Sequence, residues 1–253
     1  MTHDEHTLKR FDTELAEIRS RILTMGGLVE IQLKLAMHAL FEANTYIARQ
    51  VVEQDQQVNR MEVEIDGLCC CAIARHKPTA SDLRLIVNAT KIIVQLERIG
   101  DELKKIASIT ERRARQYRLA FPRSLKMSHI STLVQTLLQD VLQSYACLEP
   151  DSARKIGKHN EALKIALNTA THHIIEMMTA QPHAISASLE TLFIVKAFER
   201  IGDHIKYVSL LIIHSANRYY DTKYQPLPCI GNAVPPVYPA LHLPDVQAAL
   251  PGQ

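Results

Sequence analysis

The 253-residue sequence contains no tryptophan, and aromatic residues make up only 5% of it. Its core must therefore be built from aliphatic side chains. Only 8 residues are glycine, whereas apolar residues reach 47%. This balance is typical of a folded chain and excludes a disordered one. A net charge of +2 argues against a dedicated nucleic-acid-binding protein, which would carry a strong basic excess.

Long apolar runs are also missing. No segment approaches the roughly 20 apolar residues that are needed to span a bilayer, and residues 1–14 lack the apolar stretch of a signal peptide. We therefore expect a soluble, cytoplasmic protein that meets a membrane only indirectly, through partners. Three of the five cysteines, residues 69–71, are consecutive. On a helix they point about 100° apart and cannot converge on one metal ion.

Prolines divide the chain into helical segments. Seven of the eleven follow residue 223, and the other four stand at 78, 122, 150 and 182. Because proline is excluded from helix interiors, these four positions indicate helix boundaries. The apolar spacing between them is helical, and no alternating strand pattern competes with it before residue 223. With a break near Asn44, the predicted helices are at about 8–43, 46–76, 80–118, 125–147, 151–180 and 184–220.

The pentapeptide Glu-Arg-Ile-Gly-Asp occurs twice, at 97–101 and at 199–203. Pro78 and Pro182 correspond at a similar offset, so the repeat extends beyond the pentapeptide. We predict an all-α protein made by internal duplication, with tandem three-helix bundles (six helices) related by a pseudo-two-fold axis. The predicted units are 1–122, 123–222 and a proline-rich tail, 223–253.

The tail is nearly uncharged, and its proline density favours extended conformations. We expect a poorly ordered terminus. Docking of the tail on a partner or on its own bundle is the alternative.

The pentapeptide holds two carboxylates four residues apart, Glu97 and Asp101 in the first copy. On a helix both lie on one face, one turn apart. They continue a stripe that is apolar one turn earlier, so we expect them at or near a helix–helix contact. That stripe consists of Leu83, Val87, Thr90 and Val94. Carboxylates that leave water need protonation, a cationic neighbour or a metal ion.

A second set of acids precedes them on the neighbouring predicted helix. Asp55, Asn59, Glu62 and Asp66 share one face. Against the third helix they would present up to five carboxylates and one amide, a ligand set that suits Mg, Mn or Fe ions, with Zn also possible. In the alternative interpretation these acids form a solvated face or pair with nearby cations. Those cations are Arg84, Lys91, Arg98 and Lys104.

The second copy of the motif has weaker surroundings. Its acids are Glu199 and Asp203, but the corresponding stripe on the preceding helix has lost its carboxylates. That stripe reads Asn160, Lys164, Leu167 and Thr171. Lys196 stands three residues before Glu199, in position to neutralise it. We therefore expect the first copy to be the better metal site.

Common catalytic signatures are missing. Neither helix with the pentapeptide contains a Glu-x-x-His pair, and the chain has no glycine-rich phosphate loop, GxSxG or HExxH. We expect a non-catalytic protein. The alternative is a carboxylate-bridged metalloenzyme that acts on phosphoesters or polyphosphate, and a third possibility is a metal store.

Five segments together resemble the PhoU family, the accessory regulators of phosphate-specific transport. They are LTMGGLVE (23–30), DQQVNRMEVEID (55–66), KPTASDLR (77–84), LERIGD (96–101) and FERIGDH (198–204). The resemblance covers about residues 8–220 in the expected order and leaves the tail outside.

This resemblance implies a pair of three-helix bundles, a homodimer, and a cytoplasmic negative regulator of the phosphate-starvation response and of phosphate uptake. The implied partners are the ATPase subunit of the phosphate ABC transporter and a PhoR-type sensor histidine kinase. It also implies metal clusters, of iron or zinc in some members, at the Glu-x-x-x-Asp motifs. By position, the first site would be Glu97, Asp101, Asp55, Asn59 and Glu62, and the second Glu199 and Asp203.

Overall fold

The computed structural model describes residues 3–116 and 125–216, and the side chains of residues 10–115 and 125–215. The predicted tail, 223–253, lies outside the described residues. Six α-helices account for nearly all of the described chain, which contains no strand. They are α1 (His3–Glu42), α2 (Thr45–His76), α3 (Ala80–Gln116), α4 (Met127–Cys147), α5 (Pro150–Ala180) and α6 (Ile185–Ala216). The all-α, six-helix prediction is confirmed, with boundaries that differ from the predicted ones by five residues or fewer.

The helix boundaries follow local chemistry. Asn44 caps α2, since its side-chain oxygen accepts hydrogen bonds from the backbone N–H groups of Tyr46 and Ile47. Pro150 occupies the first turn of α5, where a missing N–H group costs nothing. Lys77 ends α2 in the left-handed conformation, with φ 46°. The chain breaks at 44, 78, 150 and 182 are therefore confirmed, and Pro122 lies outside the described residues.

The six helices form two packed sets. Helices α1, α2 and α3 contact one another, as do α4, α5 and α6, and α3 packs along α6 at the centre. Side-chain contacts show that α3 and α6 are antiparallel: Asn88 Nδ2 donates to Ser215 Oγ at 2.8 Å, and Arg112 Nε donates to Glu190 at 2.6 Å near the opposite ends. The tandem three-helix bundles and their pseudo-two-fold relationship are thus confirmed, and both pentapeptides lie in the central pair.

The core is aliphatic, as the composition requires. Its largest fully buried side chains are mainly isoleucine and leucine, with one phenylalanine, Phe198. In α3 the buried positions include Ile93, Leu96 and Leu103. The stripe that leads to Glu97 and Asp101 lies at the edge of this face: Leu83 and Val87 are exposed, whereas Val94 is partly buried and packs against the core. The two acids are half-buried and interact with acids of α2, so they lie near a helix–helix contact as expected. Several parallel apolar stripes run along α3, and spacing alone does not tell which one faces the core.

No helix in the described part of the chain is long and apolar enough to cross a membrane.

Candidate functional site

Asp55, in the middle of α2, is the most deeply buried of the predicted site residues, with no exposed surface. It lies opposite Gly100, the glycine of the first pentapeptide. A Cβ atom added to Gly100 would be 3.2 Å from Asp55 Oδ1 and 3.2 Å from Gln32 Oε1. Glycine at this point of α3 therefore lets α2 and α1 bring oxygen atoms against the α3 backbone.

The buried carboxylate has one cationic partner. Lys104 Nζ donates to Asp55 Oδ2 at 2.8 Å and lies 4.0 Å from Asp101 Oδ1. Lys104 stands one turn beyond the pentapeptide on α3, so its side chain can reach both acids. Among the four cations that the sequence offered as partners of these acids, Lys104 is the one that forms an ion pair with Asp55.

Three buried oxygen atoms on α1 and α2 have no hydrogen-bond partner: Asp55 Oδ1, Gln32 Oε1 and, one helical turn beyond Asp55, Asn59 Oδ1. Two of them, on Asp55 and Gln32, face the same point above Gly100. Both are acceptors, so they cannot satisfy each other. Each buried acceptor without a donor costs roughly 1–3 kcal/mol. The cluster is therefore rich in electron-pair donors that the protein itself leaves unused.

Glu97 and Asp101 lie half-buried at the edge of this cluster. Burial raises the pKa of Glu97, and the neighbouring carboxylates of Asp101, Glu62 and Asp55 raise it further. The structure thus brings together Glu97, Asp101, Asp55 and Glu62 as interacting charges. The hydrogen bond to Asp55, with the charges of Asp55 and Asp101, raises the pKa of Lys104 despite its partial burial.

The acids are close enough to act on one another, yet they do not form a coordination sphere. In residues 3–116 and 125–216, no group of three or more His, Cys, Asp or Glu side chains is arranged to hold a metal ion. Asp66, which shares the α2 face by spacing, is exposed. In this conformation the Lys104 ammonium supplies the positive charge of the first cluster.

The second copy repeats the glycine contact with different chemistry. A Cβ atom on Gly202 would be 2.8 Å from both Asn160 Oδ1 and Leu163 Cδ2. Asn160 thus occupies the place of Asp55, without its charge. Lysines neutralise both acids of this copy: Lys196 Nζ is 2.6 Å from Glu199 Oε2, and Lys164 Nζ is 3.4 Å from Asp203 Oδ1. The predicted pairing of Lys196 with Glu199 is confirmed.

The arginines of the two pentapeptides lie at the interface between the halves. Arg200 Nη1 donates to Glu102 of α3 at 3.3 Å, and Lys105 Nζ donates to the same Glu102 oxygen at 2.8 Å. In the other half, the position equivalent to Glu102 is His204, which lies beside Arg98 and accepts or donates a hydrogen bond with Gln95 at 2.8 Å. Burial lowers the pKa of His204, and the Arg98 charge lowers it further.

Sequence reasoning missed two parts of this site. It treated the pentapeptide glycines only as members of a motif, although a glycine retained twice inside an apolar helix signals close backbone approach. It also missed Gln32, because an isolated glutamine on a largely apolar helix gives no pattern to follow.

Comparison with models of known protein families gives two matches along the chain. The PhoU domain model matches residues 22–110 and 127–212, one match in each half of the chain. The chain belongs to the PhoU family. The match leaves residues 213–253 outside the family's domain.

Relatives in the family match along most of their length. The phosphate-specific transport system accessory protein PhoU homolog of Pseudomonas putida is 39% identical over 217 residues, which are 85% of this chain and 82% of that protein. The PhoU protein of Escherichia coli is 33% identical over 212 residues, 83% of this chain and 87% of its own length.

The fold agrees with solved PhoU structures. The crystal structure of PhoU from Pseudomonas aeruginosa aligns with a TM-score of 0.78 at 36% sequence identity and covers 82% of this chain and 99% of that one. PhoU from Streptococcus pneumoniae, at 24% identity and a TM-score of 0.75, shares the fold.

Proposed function

We propose that this protein is a non-catalytic, cytoplasmic regulator of phosphate uptake. In this role it links the phosphate ABC transporter to a sensor histidine kinase and keeps the phosphate-starvation response off when phosphate is plentiful. The observation that carries the proposal is family membership in both halves of the chain, with relatives named as accessory proteins of the phosphate-specific transport system. A regulator of this kind acts by contact, so it needs a rigid scaffold rather than a nucleophile.

A gene deletion tests this role. Without the protein, phosphate-starvation genes should be expressed even in high phosphate, and the full chain supplied on a plasmid should restore repression. Continued repression in the deletion strain would reject the regulatory proposal. Cross-linking in intact cells should capture the transporter's ATPase subunit and the kinase, and light scattering of the purified chain should show a homodimer.

We further propose that the first cluster binds a metal ion, with Fe, Zn, Mn and Mg as candidates. The unpartnered oxygens of Asp55, Asn59 and Gln32 fit such an ion, because each lacks the donor that a cation would replace. Glu97, Asp101 and Glu62 would complete the ligand set. Lys104, whose side chain is 40% exposed, must then turn away, because its ammonium group lies where the metal ion would bind. The metal would supply cross-linking of α2 and α3.

Elemental analysis of the purified chain tests the metal proposal. Wild type should retain metal that the double variant Glu97→Gln/Asp101→Asn loses. The matched variant Glu199→Gln/Asp203→Asn asks whether the second predicted site is filled; the lysines on both of its acids predict little loss there. Equal metal content in all three proteins would contradict the first site.

The alternative function, phosphoester or polyphosphate hydrolysis, rests on the same carboxylate cluster. Its test is turnover by the metal-loaded protein, with Glu97→Gln as the control. Turnover that Glu97→Gln abolishes would replace the non-catalytic proposal.

A further inference from the structure

An open cavity of about 510 Å³ lies between α3 and α6, where the two halves of the chain meet. Ligand sites are common at such junctions and in this range of volume. Five basic side chains line the cavity, against two acidic ones, Asp101 and Glu102. The basic residues are Lys104, Lys105, Arg112, Lys196 and Arg200. Each of them pairs with a carboxylate, and together they place five groups of N–H donors around one space that an anion could enter.

These cations have capacity for a further partner. Their side chains are between 40% and 61% exposed. Arg112 donates from Nε to Glu190 and Arg200 from Nη1 to Glu102, while each guanidinium carries five N–H donors in a planar fork. Such forks match the oxygen spacing of a phosphate group.

Glu102 adds a second, independent feature. Its side chain is 6% exposed, and its Oε1 atom accepts hydrogen bonds from both Lys105 and Arg200. Its Oε2 atom is buried and has no partner. Glu102 shares the cavity lining with five cations and one other acid, Asp101. A ligand with a hydrogen-bond donor of its own would satisfy the unused acceptor if the carboxylate turned toward the cavity. Inorganic phosphate carries an O–H group at neutral pH and a nucleotide carries ribose hydroxyl groups, whereas sulfate carries no O–H group.

The fold does not require this basic cavity. At the positions related by the internal repeat, Tyr207, Val94 and His214 replace Lys105, Lys196 and Arg112. Packing of the two central helices would make the same demands on both sides of the pseudo-two-fold axis. Helix packing therefore does not explain why the basic residues occur on one side of the axis.

We propose that the cavity between α3 and α6 binds a phosphate group, held by Arg200, Arg112, Lys105 and Lys196, with Glu102 accepting a hydrogen bond from the same ligand. The exposed ring of Phe193, which also lines the cavity, offers an apolar surface for a larger phosphorylated molecule such as a nucleotide. The shared chemistry is the phosphate group, either free or carried by a nucleotide. The cavity adjoins the carboxylate cluster, because Asp101 and Lys104 also line it. The proposal does not depend on the regulatory role.

Calorimetric titration of the full chain with inorganic phosphate, AMP and sulfate tests the proposal. Phosphate or AMP should bind saturably, and sulfate should bind more weakly. Arg200→Gln should weaken binding by roughly tenfold or more, because it removes a charge-assisted contact. The matched control is Arg98→Gln, the same residue of the other pentapeptide, which should leave affinity unchanged. Glu102→Gln should reduce the preference over sulfate.

Each result decides the proposal. Binding of inorganic phosphate identifies the free ion as the ligand, and binding of AMP alone identifies a phosphorylated carrier. Absence of saturable binding, equal binding of sulfate, or equal losses in Arg200→Gln and Arg98→Gln would overturn it. If Arg200→Gln changes the circular dichroism or unfolding midpoint, Lys196→Gln, a half-exposed change in the same cavity, takes its place.

Discussion

Lys104 Nζ lies 2.8 Å from Oδ2 of Asp55, a carboxylate with no exposed surface. A buried charge that loses its partner is strongly unfavourable, whereas the pair as a whole adds little stability. The contact therefore helps to hold α2 against α3, because moving Lys104 away would leave the Asp55 charge buried without a partner.

Replacing Lys104 with methionine should reduce the free energy of unfolding by about 3 kcal/mol, because Asp55 is left buried without a counter-charge. Urea denaturation measures the loss. Adding Asp55→Asn to Lys104→Met should recover most of it, since a neutral amide needs no cation. A double variant as unstable as Lys104→Met would show that the lysine acts through something other than Asp55.

The two pentapeptide glutamates should respond differently to neutralisation. The raised pKa of Glu97 means that the folded chain binds its proton more tightly than the unfolded chain does. The resulting stabilisation is present below the unfolded pKa and is lost as pH rises through the folded one. In the metal-free protein, Glu97→Gln should therefore raise the free energy of unfolding at neutral pH, and the difference should vanish in acid.

Glu199→Gln is the matched control. Glu199 pairs with Lys196 at 2.6 Å, so this change should give no gain at neutral pH. Unfolding free energies of both variants across the acidic and neutral range make the comparison. A gain of the same size in both would contradict the assignment of repulsion to the first copy alone.

Substitution of Gly202 by alanine should be destabilising. The new Cβ would lie 2.8 Å from Asn160 Oδ1 and Leu163 Cδ2, and such overpacking costs about 1–3 kcal/mol. The helical preference for alanine returns up to about 1 kcal/mol. Gly157→Ala provides the control: this position in α5 has open space around it, so thermal unfolding should show a modest increase in stability. Equal effects at both positions would argue against the close approach.

Acid should destabilise the centre of the molecule through His204. Burial and the Arg98 charge lower its pKa, whereas the charges of Glu102 and Asp203 oppose this effect. A histidine with a lowered folded pKa contributes its full stability above the unfolded pKa of about 6.5, and this stability is lost as pH falls toward the folded value. His204→Gln should flatten the decline in unfolding free energy over this window. His129→Gln, an exposed change in α4, should leave the slope as it is.

The sequence predicted the fold well because its signals were local. Prolines at 78, 150 and 182 mark the ends of helices, and the repeated pentapeptide indicated the duplication. The proximity of Asp55, Glu62, Glu97 and Asp101 was predicted from spacing, which places them on facing helices, whereas their predicted role as metal ligands stays a prediction. Which face of α3 is buried depends on how α1, α2 and α6 pack around it. Consequently, the exposure of Leu83, the pairing of Lys104 with Asp55 and the role of Gln32 required the three-dimensional arrangement.

The antiparallel α3–α6 pair has an evolutionary consequence. In a symmetric dimer of identical subunits, one mutation appears in both subunits. Every contact across the axis therefore changes together with its symmetry-related copy. Here both halves belong to one chain, and each side of the axis can mutate alone. The Arg200–Glu102 contact is present on one side, whereas the equivalent positions on the other side are Arg98 and His204. Because the two halves belong to one chain, the first bundle can hold the buried Asp55–Lys104 pair while the second bundle has a neutral asparagine at the equivalent place.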